Sequence, residues 1–131
     1  MNSKTKSLRT PLGRVRGLGA AKEGVQHWWA QRLTALAIIP LGLWFVGGVL
    51  AHLGADQASV QAWLAGPCTG TLAILLLVAL FYHASLGLQV VVEDYCHTEW
   101  LKIASLVVIK FAAFFLATLS IISVLKMMFG G

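Results

Sequence analysis

Charge is scarce in this chain: 11% of its 131 residues are Asp, Glu, Lys or Arg. A water-soluble domain carries about a quarter of its residues as charged side chains to cover its surface. That shortage, with a hydrophobic fraction of 58% and a mean hydropathy of +0.79, excludes an ordinary soluble enzyme. It also excludes a disordered chain, which is polar and charge-rich. Cysteine is scarce too. Two thiols cannot make a disulfide scaffold, a four-thiolate metal site or an iron–sulfur cluster. There is no room for a flavin domain in 131 residues. No apolar core precedes residue 33, so the N-terminal stretch does not read as a secretory signal, and it is expected to be retained.

What is present is three long apolar runs. They cover residues 33–53, 67–92 and 101–125, each long enough for the ~20 residues that a membrane-spanning helix needs. The first holds no Asp, Glu, Lys or Arg; the second holds His83; the third holds Lys110. The runs do not alternate with period two and are too long for barrel strands. Pro67 suits a first helical turn, where its missing N–H has no partner to lose. The expected fold is an all-α membrane protein of three transmembrane helices, with a basic tail over residues 1–30 and a three-helix anchor over 31–131.

The positive charge is lopsided. Residues 1–32 hold Lys4, Lys6, Arg9, Arg14, Arg16, Lys22 and Arg32 against Glu23, a net +6, while the remainder nets −1. Beside an apolar span, such a tail reads as a cytoplasmic anchor under the positive-inside rule rather than as a nucleic-acid arm. The 54–66 loop has no Lys or Arg and is expected outside, the 93–100 turn inside. Trp28, Trp29, Trp63 and Trp100 fall at expected interfaces, where amphipathic rings settle; Trp44 falls within the first span. Cys68 and Cys96 fall on opposite faces and are not expected to pair. The Gly17–Lys22 run lacks the spacing of a phosphate loop.

Ionisable groups inside a span are costly and become functional candidates by default. His83 lies nine residues before the end of its run, and Ala79 and Gly87, one turn away on either side, share its face. Small residues there leave a groove in which a flat, bulky group can approach the backbone. A neutral imidazole is a frequent metal and haem ligand. It is equally the kind of side chain that bonds one membrane helix to another. Asp94 lies eleven residues on, offset by only ~20° around the helix. It thus sits on His83's stripe where water meets lipid, with Tyr95 beside it. Glu93 and Glu99 read as solvated interfacial acids, and His52 and His97 as interfacial. Lys110 sits deep for a lysine; a span shifted toward Met128 would bring it nearer the cytoplasmic interface, with a haem propionate, a lipid phosphate or a partner carboxylate as the other options.

The run from His83 to Tyr95, with its H-x3-G-x6-D-Y spacing, resembles the second-helix signature of the succinate dehydrogenase membrane anchor subunits, in their bacterial form. Gly24-Val-Gln-His-Trp-Trp-Ala-Gln-Arg-Leu-Thr-Ala35 resembles that family's entry into its first helix. The resemblance implies a second three-helix anchor as partner, with a flavoprotein and an iron–sulfur subunit seated on the cytoplasmic side of a bacterial inner membrane. It implies a haem b shared between the anchors, with His83 as an axial ligand to the iron and Gly87 beside the porphyrin. It further implies a ubiquinone site at Tyr95 and Asp94, and places Arg32 near the haem propionates and the quinone. His27 matches no histidine position of the family. A fumarate reductase anchor, or a structural or transport-complex subunit without haem, are the competing readings.

Overall fold

The computed structural model describes residues 10–15 and 22–130. Half of the basic tail, including the glycines at 17 and 19, lies outside the described residues. The element order is α1 (Pro11–Val15), α2 (Lys22–Ala51), α3 (Gln57–Ala65), α4 (Pro67–Tyr95) and α5 (Glu99–Met128), and the described residues include no strand. Three of these helices are long and apolar enough to cross a membrane: α2 from Gly24, α4 and α5, over 28, 29 and 30 residues. At ~1.5 Å per residue each extends past the ~30 Å hydrocarbon core. The helices are therefore longer than the apolar runs. Backbone hydrogen bonding continues into water, whereas hydropathy stops at the interface. The α2 helix starts well before residue 33 for this reason. It also runs through Pro40, which cannot donate to the Leu36 carbonyl, as spanning helices tolerate.

The 54–66 connection is a helix rather than an open loop. Gly54, at φ 82°, takes the left-handed conformation that glycine adopts without steric cost and so turns the chain after α2. Asp56 then caps α3, accepting from the Ser59 N–H at 3.0 Å. Hydrogen bonding from the Ser59 side chain, and then from its backbone N–H, holds the Asp56 carboxyl below its ordinary value. Gly66 ends α3 and precedes Pro67 at the start of α4. The Trp63 indole of α3 folds back over α2 and packs on the bare backbone of Gly48. It stacks on His52 at 4.8 Å and meets Trp44 at 5.9 Å and Phe45 at 6.3 Å. Gly70 of α4 likewise accepts the Met128 side chain at the end of α5.

The α4 helix is the centre of the bundle. It packs on both α2 and α5, whose backbones do not come close to each other, and α3 closes one end against α4 and α5. Burial is correspondingly thin. Ala73, Leu86 and Val124 are the buried apolar side chains among the described residues, and none of the large ones is fully enclosed. Cys68 and Cys96, at the two ends of α4, are both free thiols.

Candidate functional site: the α2–α4 seam around His83

His83 projects from the face of α4 that meets α2. Its Nδ1 lies 3.0 Å from the Thr34 hydroxyl and 3.2 Å from the Gln31 carbonyl oxygen. The Thr34 proton is directed to its own helix, at 2.7 Å from the Ala30 carbonyl and 3.0 Å from that of Gln31. Both groups therefore accept at Nδ1, since a carbonyl has no proton and the hydroxyl has used its own. The imidazole is thus the tautomer with hydrogen on Nδ1 and a lone pair on Nε2. Metal-binding histidines are oriented in this way, by a hydrogen bond on the nitrogen that does not ligate. No group among the described residues hydrogen-bonds to Nε2.

The surroundings keep that lone pair approachable. A side chain built on Gly87, one turn along, would meet nothing within 4 Å of its first carbon, so the space over Gly87 is unfilled by this chain. Ala79, one turn the other way, is half-buried. The described residues contain no cluster of three or more His, Cys, Asp or Glu side chains that could hold a metal alone. The site therefore offers one nitrogen, with an open glycine surface one turn along the helix, a donor set suited to an ion whose remaining ligands come from elsewhere.

Arg32 lies between Gln31 and Thr34 in sequence and so at His83's level along α2, but on another face. Its guanidinium sits 5.4 Å above the Trp28 ring, and Trp28 meets Trp29 edge-on at 5.0 Å. Asp94 and Tyr95 occupy the last turn of α4, ~16 Å from His83 by helical rise. Tyr95 is 81% exposed, and Asp94 is exposed as well. The chain brings His83 together with Gln31 and Thr34. It does not bring Arg32 to Asp94 or Tyr95.

Sequence reasoning singled out neither Thr34 nor the Gln31 carbonyl. A threonine two turns from a histidine in the same helix entry was the available signal: His27, Gln31 and Thr34 share one stripe at helical spacing. His27 is on that stripe, and its Nε2 is enclosed without a hydrogen-bond partner. Lys110 donates to the Gln89 side-chain oxygen at 3.3 Å, and Gln89 in turn donates to Glu93 at 2.9 Å. Glu93 is thus tied to a membrane-embedded amide rather than merely solvated.

Comparison with known proteins identifies the family. The family described as "Succinate dehydrogenase/Fumarate reductase transmembrane subunit" matches residues 6–117, which takes in all of α2, α3 and α4 and most of α5. The chain is 30% identical over 106 residues to the succinate dehydrogenase hydrophobic membrane anchor subunit of Rickettsia bellii (strain RML369-C), covering 81% of this chain and 85% of that one. It is 30% identical over 86 residues to the subunit of the same name from Paracoccus denitrificans, covering 66% of this chain and 67% of that one. It is 27% identical over 95 residues to the succinate dehydrogenase membrane anchor subunit of Reclinomonas americana, with 70% and 79% covered. No solved structure matches the chain. With three membrane-length helices around a histidine-bearing central one, and a family match over most of its length, this multi-pass chain belongs to the succinate dehydrogenase/fumarate reductase transmembrane subunits.

Proposed function

We propose that the chain is the hydrophobic membrane anchor subunit of a succinate dehydrogenase, sharing a haem b with a second anchor and forming part of the ubiquinone-reducing site. The observation that carries the reading is the Nδ1 geometry of His83. A histidine serving only to join two helices would need no free space beside its other nitrogen. Here the proton is committed to α2, no described residue hydrogen-bonds to Nε2, and one turn along the same face the surface of Gly87 is unfilled. His83 would hold the haem iron, Gly87 would admit the porphyrin plane, and Arg32, at the same level, would supply charge toward the propionates and the quinone pocket. Haem, when bound, supplies a one-electron redox centre between the anchors. The donor set fits it, because this chain would offer one nitrogen and leave any further ligand to another chain.

Quinone reduction consumes two electrons and two protons, so a carbonyl oxygen gains negative charge close to a proton donor. Tyr95, exposed at the end of α4, can donate its phenolic hydrogen to that oxygen as charge develops. Asp94, acceptor-only when ionised, orients a neighbouring donor and passes protons in from water. This end of the helix is at the right depth, since the headgroup must meet water for protons and an iron–sulfur cluster for electrons. The basic tail favours an N-terminus on the cytoplasmic side of a bacterial inner membrane, with the flavoprotein and iron–sulfur subunits on that side.

The absorption spectrum of the purified complex tests the reading. A bis-histidine haem spectrum with co-purifying flavoprotein is expected, and its loss in His83→Leu assigns the ligand. No haem and no flavoprotein would overturn the proposal in favour of a structural subunit. A complex that reduces fumarate from a low-potential quinol, with little succinate oxidation, would indicate the fumarate reductase direction.

A further inference from the structure

On the opposite side of α4 from the His83 seam, a groove of about 380 Å³ runs between α4 and α5. Its walls include Val78, Phe81 and Tyr82 from α4 and Ala113, Phe114 and Ala117 from α5. The two alanines keep it open. Along α5 it extends from Lys110 to Ile121, ~16 Å of helical rise, the length of most of a fatty acyl chain. Its lining is almost wholly apolar, and its one charged group, Lys110, stands at the end nearer the α4–α5 turn.

We propose that this groove binds an anionic phospholipid of the leaflet on the side of the α4–α5 turn, with one acyl chain between α4 and α5 and the phosphate on Lys110. Three observations support it. First, the depth suits a headgroup. Side chains on a helix lean toward its N-terminus, so Lys110 leans toward Glu99 and the nearer interface. With α5 overhanging the hydrocarbon core at both ends, the Lys110 backbone lies ~9 Å inside it, a distance that a snorkelling lysine largely spans.

Second, the ammonium keeps its charge available. Its recorded contact is the neutral side-chain oxygen of Gln89, and Glu93 is bound to the other end of that amide. Gln89 therefore positions the ammonium while standing between it and the acid. The ion pair recorded among the described residues is Lys102 with Glu99, at 4.0 Å.

Third, the neighbouring surface is of the kind that faces lipid. Helix–helix contacts in membranes favour small residues, and α4 offers Gly87 and Ala79 beside His83. Around the groove, the small Ala113 and Ala117 are flanked on α5 by Phe111 at 73%, Phe114 at 75% and Phe115 at 66% exposure. A partner helix is thus expected on the His83 side and an acyl chain on this one.

The test is native mass spectrometry of the delipidated complex containing this chain, titrated with phosphatidylglycerol or with zwitterionic phosphatidylcholine. Lys110→Met should weaken the tightest phosphatidylglycerol site about fivefold, the effect of one lysine near a membrane surface. Phosphatidylcholine binding should be unchanged. Lys110→Arg should retain the site, and Ala117→Phe should remove it by filling the groove while leaving subunit composition and haem content intact. Lys102→Met, at the interface, should leave it unaltered. Equal phosphatidylglycerol affinity in wild type and Lys110→Met would overturn the proposal. So would loss of a protein subunit in Ala117→Phe, which would identify the occupant as a partner helix.

Discussion

Replacing Thr34 with valine removes one hydroxyl and leaves the volume and the β-branched rotamer preference of the side chain nearly unchanged. If His83 is held for ligation by its Nδ1 hydrogen bonds, that single oxygen controls how firmly the imidazole is aimed. The Thr34 contact is 3.0 Å and the Gln31 carbonyl contact 3.2 Å, both part-buried. A neutral hydrogen bond is worth about 1 kcal/mol net. Substitutions next to a ligating histidine weaken metal binding by roughly 10- to 100-fold. Because Gln31 remains as a second acceptor, the lower end applies, and haem should leave the Thr34→Val complex about five- to tenfold faster. The assay is transfer of haem from the purified complex to an excess of a haem-free globin, followed by absorbance, with flavin content as the internal standard. Thr34→Ser, which keeps the oxygen, should behave as wild type. Haem loss from Thr34→Val at the wild-type rate, or equal impairment of the serine and valine variants, would refute the reasoning.

Four further outcomes are expected. The first side-chain carbon of Gly87→Leu meets no atom within 4 Å and the change relieves a helix cost of about 0.8–1 kcal/mol, so it should leave membrane insertion intact while abolishing haem binding; full haem content would show that the groove admits something else. Tyr95→Phe should slow ubiquinone reduction at least about tenfold and spare succinate oxidation with a soluble dye; equal losses would make the residue structural. Gly48→Ala pushes into the rigid Trp63 ring and Gly70→Ala into the flexible Met128 thioether. Thermal unfolding should therefore show the first destabilised by roughly 1–3 kcal/mol and the second by less, and the reverse order would contradict the packing. An impermeant thiol reagent added from outside the cell should reach Cys68 but not Cys96, and labelling of Cys96 alone would invert the topology.

The spans were legible because lipid imposes one requirement, about twenty apolar residues with internally satisfied backbone, and the sequence meets it three times. Helix ends were not, since α2 continues through Trp28, Trp29 and Arg32, residues that hydropathy assigns to the interface. The α3 helix was concealed by its nine-residue length, although Asp56 three residues ahead of Ser59 is a readable capping signal. At the site, His83 stood out as an ionisable group inside a span. Its acceptors did not, because one is a backbone carbonyl and the other depends on which face of α2 meets α4. Lys110 was visible as an anomaly, but its link through Gln89 to Glu93 required the relative register of α4 and α5.

The row-like arrangement, with α4 between two helices whose backbones stay apart, has a consequence for the life of the polypeptide. A newly inserted copy has few interior side chains to hold it together, and an imidazole, an ammonium and bare glycine surface lie along its flanks. To the proteases that patrol a membrane, such a copy should differ little from a failed one until the proposed second anchor covers the His83 flank. Its lifetime is then expected to follow the supply of that companion rather than its own folding equilibrium. On that reading surplus copies would be removed, and the ratio of subunits would correct itself without matched rates of synthesis.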